Sequence, residues 1–186
     1  MGRKWKAVLA AAALVVVLGG AYFLYGFLSD KYGPAAIPET EYEAAPDFTV
    51  YDADGDPVKL SDFLGKPVVV NLWASWCGPC KQEMPLFQEL YEERGEEVEV
   101  LMVNLCAFGN DNVQDAKDLI AEEGYTFPVY FDTDGEAMVN YVGRGVPVSI
   151  FVDAGGGLAG YQTGALTEEI MELGLERILP AESPQD

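Results

Sequence analysis

Two cysteines separated by two residues are the side chains of this sequence best suited to chemistry. Cys77 and Cys80 lie in the segment Trp76-Cys77-Gly78-Pro79-Cys80. A thiolate attacks a disulfide sulfur, and a second thiol nearby can then attack the mixed disulfide and release the reduced partner. The same spacing also occurs in half of a metal site and in small structural bridges, so the two cysteines alone leave all three kinds of site open.

The composition of the 186-residue chain excludes several other chemistries. The chain has no histidine, which rules out imidazole-dependent hydrolases, haem ligation through histidine and imidazole metal sites. Its three cysteines cannot complete a four-thiolate zinc site or an ordinary iron–sulfur cluster within one chain. A formal net charge of −20 gives the chain no means of holding phosphates, so nucleic acid is excluded as a main partner. We therefore predict no metal and no other cofactor.

The elements around the dithiol are predicted to place it where a thiolate is favoured. Residues 67–73 form a continuous apolar run rich in valine, which is typical of a strand buried on both faces. Residues 78–94 have helical spacing, so Cys77 lies at the amino-terminal end of the predicted helix and Cys80 one turn later. Unpaired backbone N–H groups and the positive end of the helix dipole stabilise a thiolate at that end.

The rest of the sequence alternates strands and helices. We predict strands at 47–52, 58–60, 98–105, 127–132, 148–152 and 158–161, and helices at 113–123 and 166–179. Thr167 is a suitable cap for the last helix. This order predicts an α/β fold with a central mixed sheet and helices on both faces, built as one domain from residues 46–180.

The first 45 residues are predicted to be a targeting segment. Arg3, Lys4 and Lys6 are followed by a run of 22 residues without a charge, 7–28. A helix of that length spans about 33 Å, enough for the hydrocarbon core of a bilayer. We predict a cytoplasmic segment 1–6, one transmembrane helix at 7–28, a spacer at 29–45 and, beyond the outward-facing domain, a tail at 181–186. A cleaved signal peptide is the competing interpretation of the apolar run.

A wider motif surrounds the two cysteines and is highly specific. Residues 70–80 read VNLWASWCGPC, residues 45–48 APDF, residues 83–85 EMP and residues 145–147 GVP. With these motifs the chain resembles the thioredoxin superfamily over about residues 45–179. More narrowly, it resembles the membrane-tethered extracytoplasmic thiol-disulfide oxidoreductases similar to those serving bacterial cytochrome c maturation. The resemblance implies a thioredoxin-like fold with an amino-terminal hairpin and an inserted helix and strand at 112–132.

The resemblance also implies roles for individual residues. Pro147 matches the family's cis proline, which packs against the dithiol and leaves the Val146 backbone free to pair with a bound peptide. These two residues and Trp76 are implied to bind substrate. Glu83 matches an acid that exchanges protons with the second cysteine, which requires partial burial and a raised pKa. Asn71 replaces the buried aspartate of cytoplasmic thioredoxins, as in the tethered group. An ordinary turn proline and a solvated glutamate are the alternatives for Pro147 and Glu83.

Cys106 is the third cysteine and stands outside the motif. It follows the predicted strand 98–105, which is expected to lie beside the strand that precedes the dithiol. Because neighbouring strands are about 4.8 Å apart, we expect this thiol within about 10 Å of the dithiol. It is a third redox thiol, a regulatory cap or a small buried hydrophobic residue, and we favour the last interpretation.

We predict a thiol-disulfide oxidoreductase that reduces protein disulfides outside the cytoplasm. The Gly-Pro pair between the cysteines is the one found in reducing thioredoxins, and the resemblance implies exported substrates such as apocytochrome c. A dithiol in that location has to be recharged, which implies a membrane electron donor as a partner. We expect a monomer held by a single helix in a bacterial cell membrane.

Two alternatives to this prediction stay open. The first is a non-catalytic redoxin-fold module that binds an extended peptide at Val146 and Pro147, with Cys77 and Cys80 forming a structural bridge. The second is a thiol peroxidase. It is disfavoured because Trp73 and Ala74 stand where the threonine-bearing loop of the peroxiredoxins would lie.

Overall fold

The structure, a computed structural model, describes residues 16–24 and 42–180. Residues 16–24 are helical and belong to one unit of the chain, whereas residues 42–180 belong to a second. Among the residues described, none of the helices is both long and apolar enough to cross a membrane. The predicted cytoplasmic segment 1–6 and tail 181–186 lie outside the described residues, as do most of the transmembrane segment 7–28 and of the spacer 29–45.

Residues 42–180 contain seven strands and four α-helices. The strands are β1 (Thr49–Tyr51), β2 (Pro57–Lys59), β3 (Val68–Trp73), β4 (Glu99–Asn104), β5 (Val129–Phe131), β6 (Val148–Val152) and β7 (Leu158–Thr163). The helices are α1 (Gly78–Arg94), α2 (Val113–Glu123), α3 (Glu136–Tyr141) and α4 (Glu168–Ile178), and a 3-10 turn spans Leu60–Phe63. The predicted bounds of α1 and α2 are confirmed.

The seven strands form one mixed sheet in the order β2-β1-β5-β4-β3-β6-β7. Strands β3, β4 and β5 are parallel, and β6 is antiparallel to β3 with Asn71 opposite Ser149. The carboxyl ends of the three parallel strands and the amino end of β6 therefore meet at one edge. This edge, which we call the dithiol edge, brings together the segments 74–77, 105–112 and 145–147.

Helices cover both faces of the sheet, as predicted. Side chains of α1, α2 and α4, such as Met84 and Leu175, pack on one face around Phe151. The short helix α3 packs Tyr141 on the other face, against the cluster that contains Ile150. All six residues of β3 are buried, which explains why this strand reads as a continuous apolar run. The strand that precedes the dithiol is therefore held in the middle of the core.

Aspartates make two predicted strands shorter than expected. Asp52 accepts hydrogen bonds from the backbone N–H groups of Asp54 and Asp56, so it belongs to the β1–β2 turn and β1 ends at Tyr51. Asp132 accepts hydrogen bonds from the N–H groups of Ala137 and Met138 and so satisfies the first turn of α3. The sequence analysis did not predict α3, because its six residues are too few for a helical period to be recognised.

Candidate active site

The dithiol lies at the start of α1. Cys77 is the residue that caps the helix, and Cys80 lies in its first turn. The two are joined by a disulfide, with Cα atoms 5.3 Å apart. Both side chains are buried, but Cys77 keeps 3% of its surface exposed and Cys80 none. An incoming sulfur atom therefore has access to Cys77 first.

One backbone N–H at the helix start points at the Cys77 sulfur. The Cys80 N–H donates to Cys77 Sγ at 3.2 Å, which is the geometry of a side-chain helix cap. In the reduced protein the same N–H and the positive end of the helix dipole stabilise a thiolate at Cys77. Pro79 lies within the first turn, where it removes an N–H that has no partner in the helix.

The Val146–Pro147 peptide bond is cis, as the resemblance implies. Pro147 is buried immediately before β6, and the Val146 carbonyl oxygen lies 3.8 Å from Cys77 Sγ. The predicted proximity of this segment to the dithiol is therefore confirmed. Its backbone lies beside the sulfur atom that a partner disulfide would reach.

Glu83 is a buried acid on the same helix. It lies one turn after Cys80 and has only 1% of its surface exposed. The Asn71 side-chain amide donates to Glu83 Oε1 at 2.7 Å, and the Leu166 N–H donates to Glu83 Oε2. Burial raises the pKa of Glu83 from 4.5 to about 7, although these two hydrogen bonds act in the opposite direction. The side chain can therefore gain and lose a proton near neutral pH.

Two residues from other parts of the chain hold Glu83, and a third holds one of these two. Asn71 lies on β3 and donates a second bond, at 3.1 Å, to the hydroxyl of Ser149 on β6. Leu166 precedes α4. The sequence analysis identified Asn71 but missed Ser149 and Leu166. The register of two strands separated by 78 residues gives no local signal, and a backbone N–H gives none at any position.

The loop 105–112, between β4 and α2, is bonded to the turn that carries the dithiol. Its anchor is Asp111, a buried residue that the sequence analysis missed. The Ser75 N–H donates to Asp111 Oδ2 at 2.7 Å and the Ser75 hydroxyl donates to Oδ1 at 2.5 Å. The side chain of Asn104 and the N–H of Asn112 donate to the same carboxylate. The loop is thereby fixed two residues before Cys77.

Trp76 and Cys106 differ in exposure. Trp76 is 51% exposed, and its ring stacks on Phe108 with the ring centroids 5.8 Å apart.

Cys106 is a half-buried free thiol that packs against the core. Burial, with the negative charges of Asp132 and Asp111, raises the pKa of the Cys106 thiol, so the reactive thiolate is disfavoured there. This supports its interpretation as a small hydrophobic residue.

The fold and the site together define a class of protein. A Cys-Gly-Pro-Cys pair that forms a disulfide at a helix start, directly after a central buried strand, belongs to a thiol-disulfide oxidoreductase. Within residues 16–24 and 42–180, no three His, Cys, Asp or Glu side chains are grouped so as to hold a metal ion. The chain belongs to the AhpC/TSA family, whose model matches residues 42–159.

Known proteins support this assignment. The chain is 34% identical over 184 residues to the thiol-disulfide oxidoreductase ResA of Geobacillus kaustophilus, covering 97% of this chain and 100% of the relative. It is similar in structure to StoA from Bacillus subtilis, with a TM-score of 0.61 and 28% identity, covering 71% of this chain and 98% of that one. The exposed lipoprotein thioredoxin Etrx1 from Streptococcus pneumoniae gives a TM-score of 0.62 and 29% identity, covering 70% and 98%. The predicted thioredoxin-like fold and enzyme class are confirmed.

Proposed function

We propose that this protein reduces protein disulfides outside the cytoplasm, with Cys77 as the attacking thiol and Cys80 as the resolving thiol. The observation that carries the proposal is the setting of Cys77 Sγ, which accepts the Cys80 N–H at 3.2 Å and is the more accessible sulfur. A helix start favours the thiolate, and the thiolate is the species that attacks disulfides.

The reaction proceeds in two exchanges. The Cys77 thiolate attacks one sulfur of the substrate disulfide, forms a mixed disulfide and expels the other substrate sulfur as a thiolate, which takes up a proton. Cys80 then loses its proton and attacks Cys77 Sγ, which forms the Cys77–Cys80 disulfide and expels the second substrate thiolate. Two electrons pass to the substrate, and the protein is left in the disulfide form of the structure.

Glu83 is proposed to accept the proton that Cys80 loses. A pKa of about 7 lets this carboxylate take up a proton and return it near neutral pH. Glu83 lies one turn after Cys80 on α1, so the acid is closer along the helix to Cys80 than to Cys77. In the reverse reaction, the protonated acid returns the proton to the departing Cys80 thiolate.

Trp76, Val146 and Pro147 are proposed to bind the substrate polypeptide. The Val146 carbonyl, 3.8 Å from Cys77 Sγ, lies where the backbone of an extended segment would pair during the exchange. We propose exported proteins as substrates, with apocytochrome c among them as the resemblance implies. Because each turnover oxidises the dithiol, a membrane electron donor has to supply two electrons per cycle. We propose a monomer that needs no cofactor.

The reduction potential of the Cys77–Cys80 pair tests the proposed direction of electron flow. We expect about −270 mV, as in thioredoxin, because the pair encloses the same Gly-Pro dipeptide. Equilibration with glutathione or dithiothreitol buffers measures the value, in a Cys106→Ser background where only this pair titrates. A potential near about −120 mV contradicts the proposal in favour of an oxidant, and one below about −300 mV favours a structural bridge.

We further propose that residues 7–28 anchor the protein and that the domain 46–180 faces outward, beyond the spacer 29–45. The helical residues 16–24 support this, because they expose large apolar side chains: Val16, Val17, Leu18, Tyr22, Phe23 and Leu24. Residues 1–6, with three basic side chains, are proposed to stay in the cytoplasm.

The anchor predicts the behaviour of the full-length protein in bacterial membranes. We expect it to resist alkaline carbonate extraction, and protease added outside spheroplasts to remove the domain. A Leu18→Arg/Leu24→Arg variant is the control and is expected to lose membrane retention, because each arginine within the bilayer costs about 2.5–3.5 kcal/mol. Release of a shortened, soluble wild-type protein would instead establish a cleaved signal peptide.

A further inference from the structure

An aromatic pair lies beside the attacking cysteine, and one of its two members, Phe108, has no part in the exchange just described. Trp76 immediately precedes Cys77 and is 51% exposed. Its ring stacks on Phe108, with an angle of 29° between the ring planes. The loop runs against the indole at Gly109, where an added Cβ would lie 3.4 Å from the ring at a φ of +70°. The loop backbone is therefore close enough for an added Cβ to contact the indole, and the left-handed backbone at this position favours glycine.

The loop that carries Phe108 is fixed at both ends. At one end the Leu105 N–H donates to the Trp73 carbonyl at 2.8 Å, and at the other the Asp111 carboxylate holds Ser75. Phe108 lies between these attachments, and its own N–H donates to the Leu105 carbonyl at 2.7 Å. The aromatic pair is thus a preformed surface, and ordering it costs little when a partner binds.

Apart from the buried Asp111, the segments at this edge lack charge, in a strongly charged chain. Residues 73–80, 105–110 and 145–148 contain no charged residue, although 23% of the chain is charged and the net charge is −20. The side chains of these segments are mostly apolar (Trp, Phe, Leu, Ala, Pro, Val and Cys), with one serine and one asparagine among them. Such a surface gains free energy by burying apolar side chains and gains little from charged ones.

The mixed disulfide determines which part of a partner reaches this surface. The partner's cysteine is then bonded to Cys77 Sγ, and an extended chain advances by about 3.3 Å per residue. Side chains one or two positions from that cysteine therefore lie within reach of the rings of Trp76 and Phe108, which are 5.8 Å apart. The surface is continuous with the place where the exchange itself occurs.

We propose that Phe108, stacked on Trp76, is a specificity-determining residue that selects polypeptide disulfides with an apolar or aromatic side chain one or two residues from the attacked cysteine. This inference rests on the proposed reductase function and names its substrate class. Asp111 acts through the loop, as a positioning residue for Phe108. The occupant is the flanking segment of the substrate, because the disulfide bond to Cys77 delivers it there.

The test compares two disulfide-cyclised peptides with full-length protein. The peptides share one uncharged sequence and differ only in phenylalanine or serine beside the cysteine. We expect the wild type to favour the phenylalanine peptide in kcat/KM by about fivefold to tenfold, mainly through KM. Phe108→Ala is expected to reduce this ratio to below about twofold. Phe108→Leu, which keeps an apolar side chain, is expected to retain most of the preference.

Phe63→Ala is the matched control. Phe63 is also half-buried and paired with one aromatic ring, that of Tyr130, but it lies outside the dithiol edge. We expect the Phe63→Ala ratio to equal the wild-type ratio. A Phe108→Ala protein that keeps the full preference overturns the inference. A wild type that reduces both peptides equally also overturns it. Both results leave the proposed reductase function intact. A folded wild type that reduces neither peptide overturns the proposed function itself.

Discussion

Replacing Cys77 with serine is expected to lower insulin-disulfide reduction by roughly three orders of magnitude, to the background rate, because a serine hydroxyl cannot form the mixed disulfide. The assay follows insulin precipitation with dithiothreitol as the electron source. Cys77 is the more exposed of the two sulfurs and the one that accepts the helix N–H. Removing it therefore removes the first step of the reaction.

Cys80→Ser is the matched variant, because both substitutions remove the same disulfide and shift stability in the same direction. It keeps the attacking thiol and lacks the resolving one. We expect it to accumulate a covalent complex with the substrate, visible on non-reducing gels and absent from Cys77→Ser. Equal accumulation in both variants would contradict the assignment of the two roles. A wild-type rate no higher than that of Cys77→Ser would contradict the proposed function and favour the structural-bridge alternative.

Replacing Glu83 with glutamine is expected to separate activity from stability. The substitution removes the proposed proton acceptor of Cys80, so we expect disulfide reduction at pH 7 to fall by about a hundredfold, the lower range for a lost acid–base group. The wild-type rate should rise with pH through about 7, where Glu83 loses its proton, and this step should be missing from the variant. The cysteine variants Cys77→Ser and Cys80→Ser differ from Glu83→Gln in this respect, because each removes a reacting thiol and neither specifically removes the rise in rate near pH 7.

The same substitution is expected to stabilise the oxidised protein at alkaline pH. Because the pKa of Glu83 is raised from 4.5 to about 7, the folded state binds the proton more tightly than the unfolded chain does. The corresponding stability is fully present below pH 4.5 and is lost as the pH rises through about 7. Two and a half pH units correspond to about 3 kcal/mol in the free energy of unfolding. Glutamine does not titrate and avoids this loss.

Urea unfolding at pH 5 and pH 8 measures the difference between the two proteins. Comparing wild type with Glu83→Gln cancels the titration of the other carboxylates, since both proteins share them. Glutamine offers one acceptor oxygen to the two donors, Asn71 and Leu166, so the substitution also removes one hydrogen bond, at a cost that is the same at both pH values. We therefore expect the stability of the variant relative to wild type to increase by about 2–3 kcal/mol between pH 5 and pH 8. An advantage that is the same at both pH values would contradict the raised pKa.

The residues of the site differ in how far the sequence reveals them. Cys77 and Cys80 are recognised from a local motif, and the cis bond at Pro147 follows from the resemblance. Strand β3 and the bounds of α1 follow from apolar runs and helical spacing. These features depend on short stretches of chain, which a sequence displays directly.

Features that depend on packing between distant segments were not predicted. The bond from Leu166 to Glu83 joins residues 83 positions apart through a backbone N–H, which every residue except proline possesses. Asp111 and Phe108 lie in a loop without periodicity, so neither the anchor nor the aromatic pair has a pattern to recognise. Helix α3 depends on Asp132, whose side chain satisfies its first turn, and a single aspartate predicts no helix.

The burial of Glu83 and the helix start at Cys77 make the chemistry of the site a product of folding. In an unfolded chain this glutamate is an ordinary acid and Cys77 an ordinary thiol, because neither the burial nor the helix start exists. Asn71 and Leu166 reach Glu83 only when β3, α1 and the segment before α4 have assembled. A newly synthesised chain would therefore be a weak partner in disulfide exchange until its domain is complete. While it folds, the chain would therefore exchange disulfides with other proteins more slowly than the folded protein does.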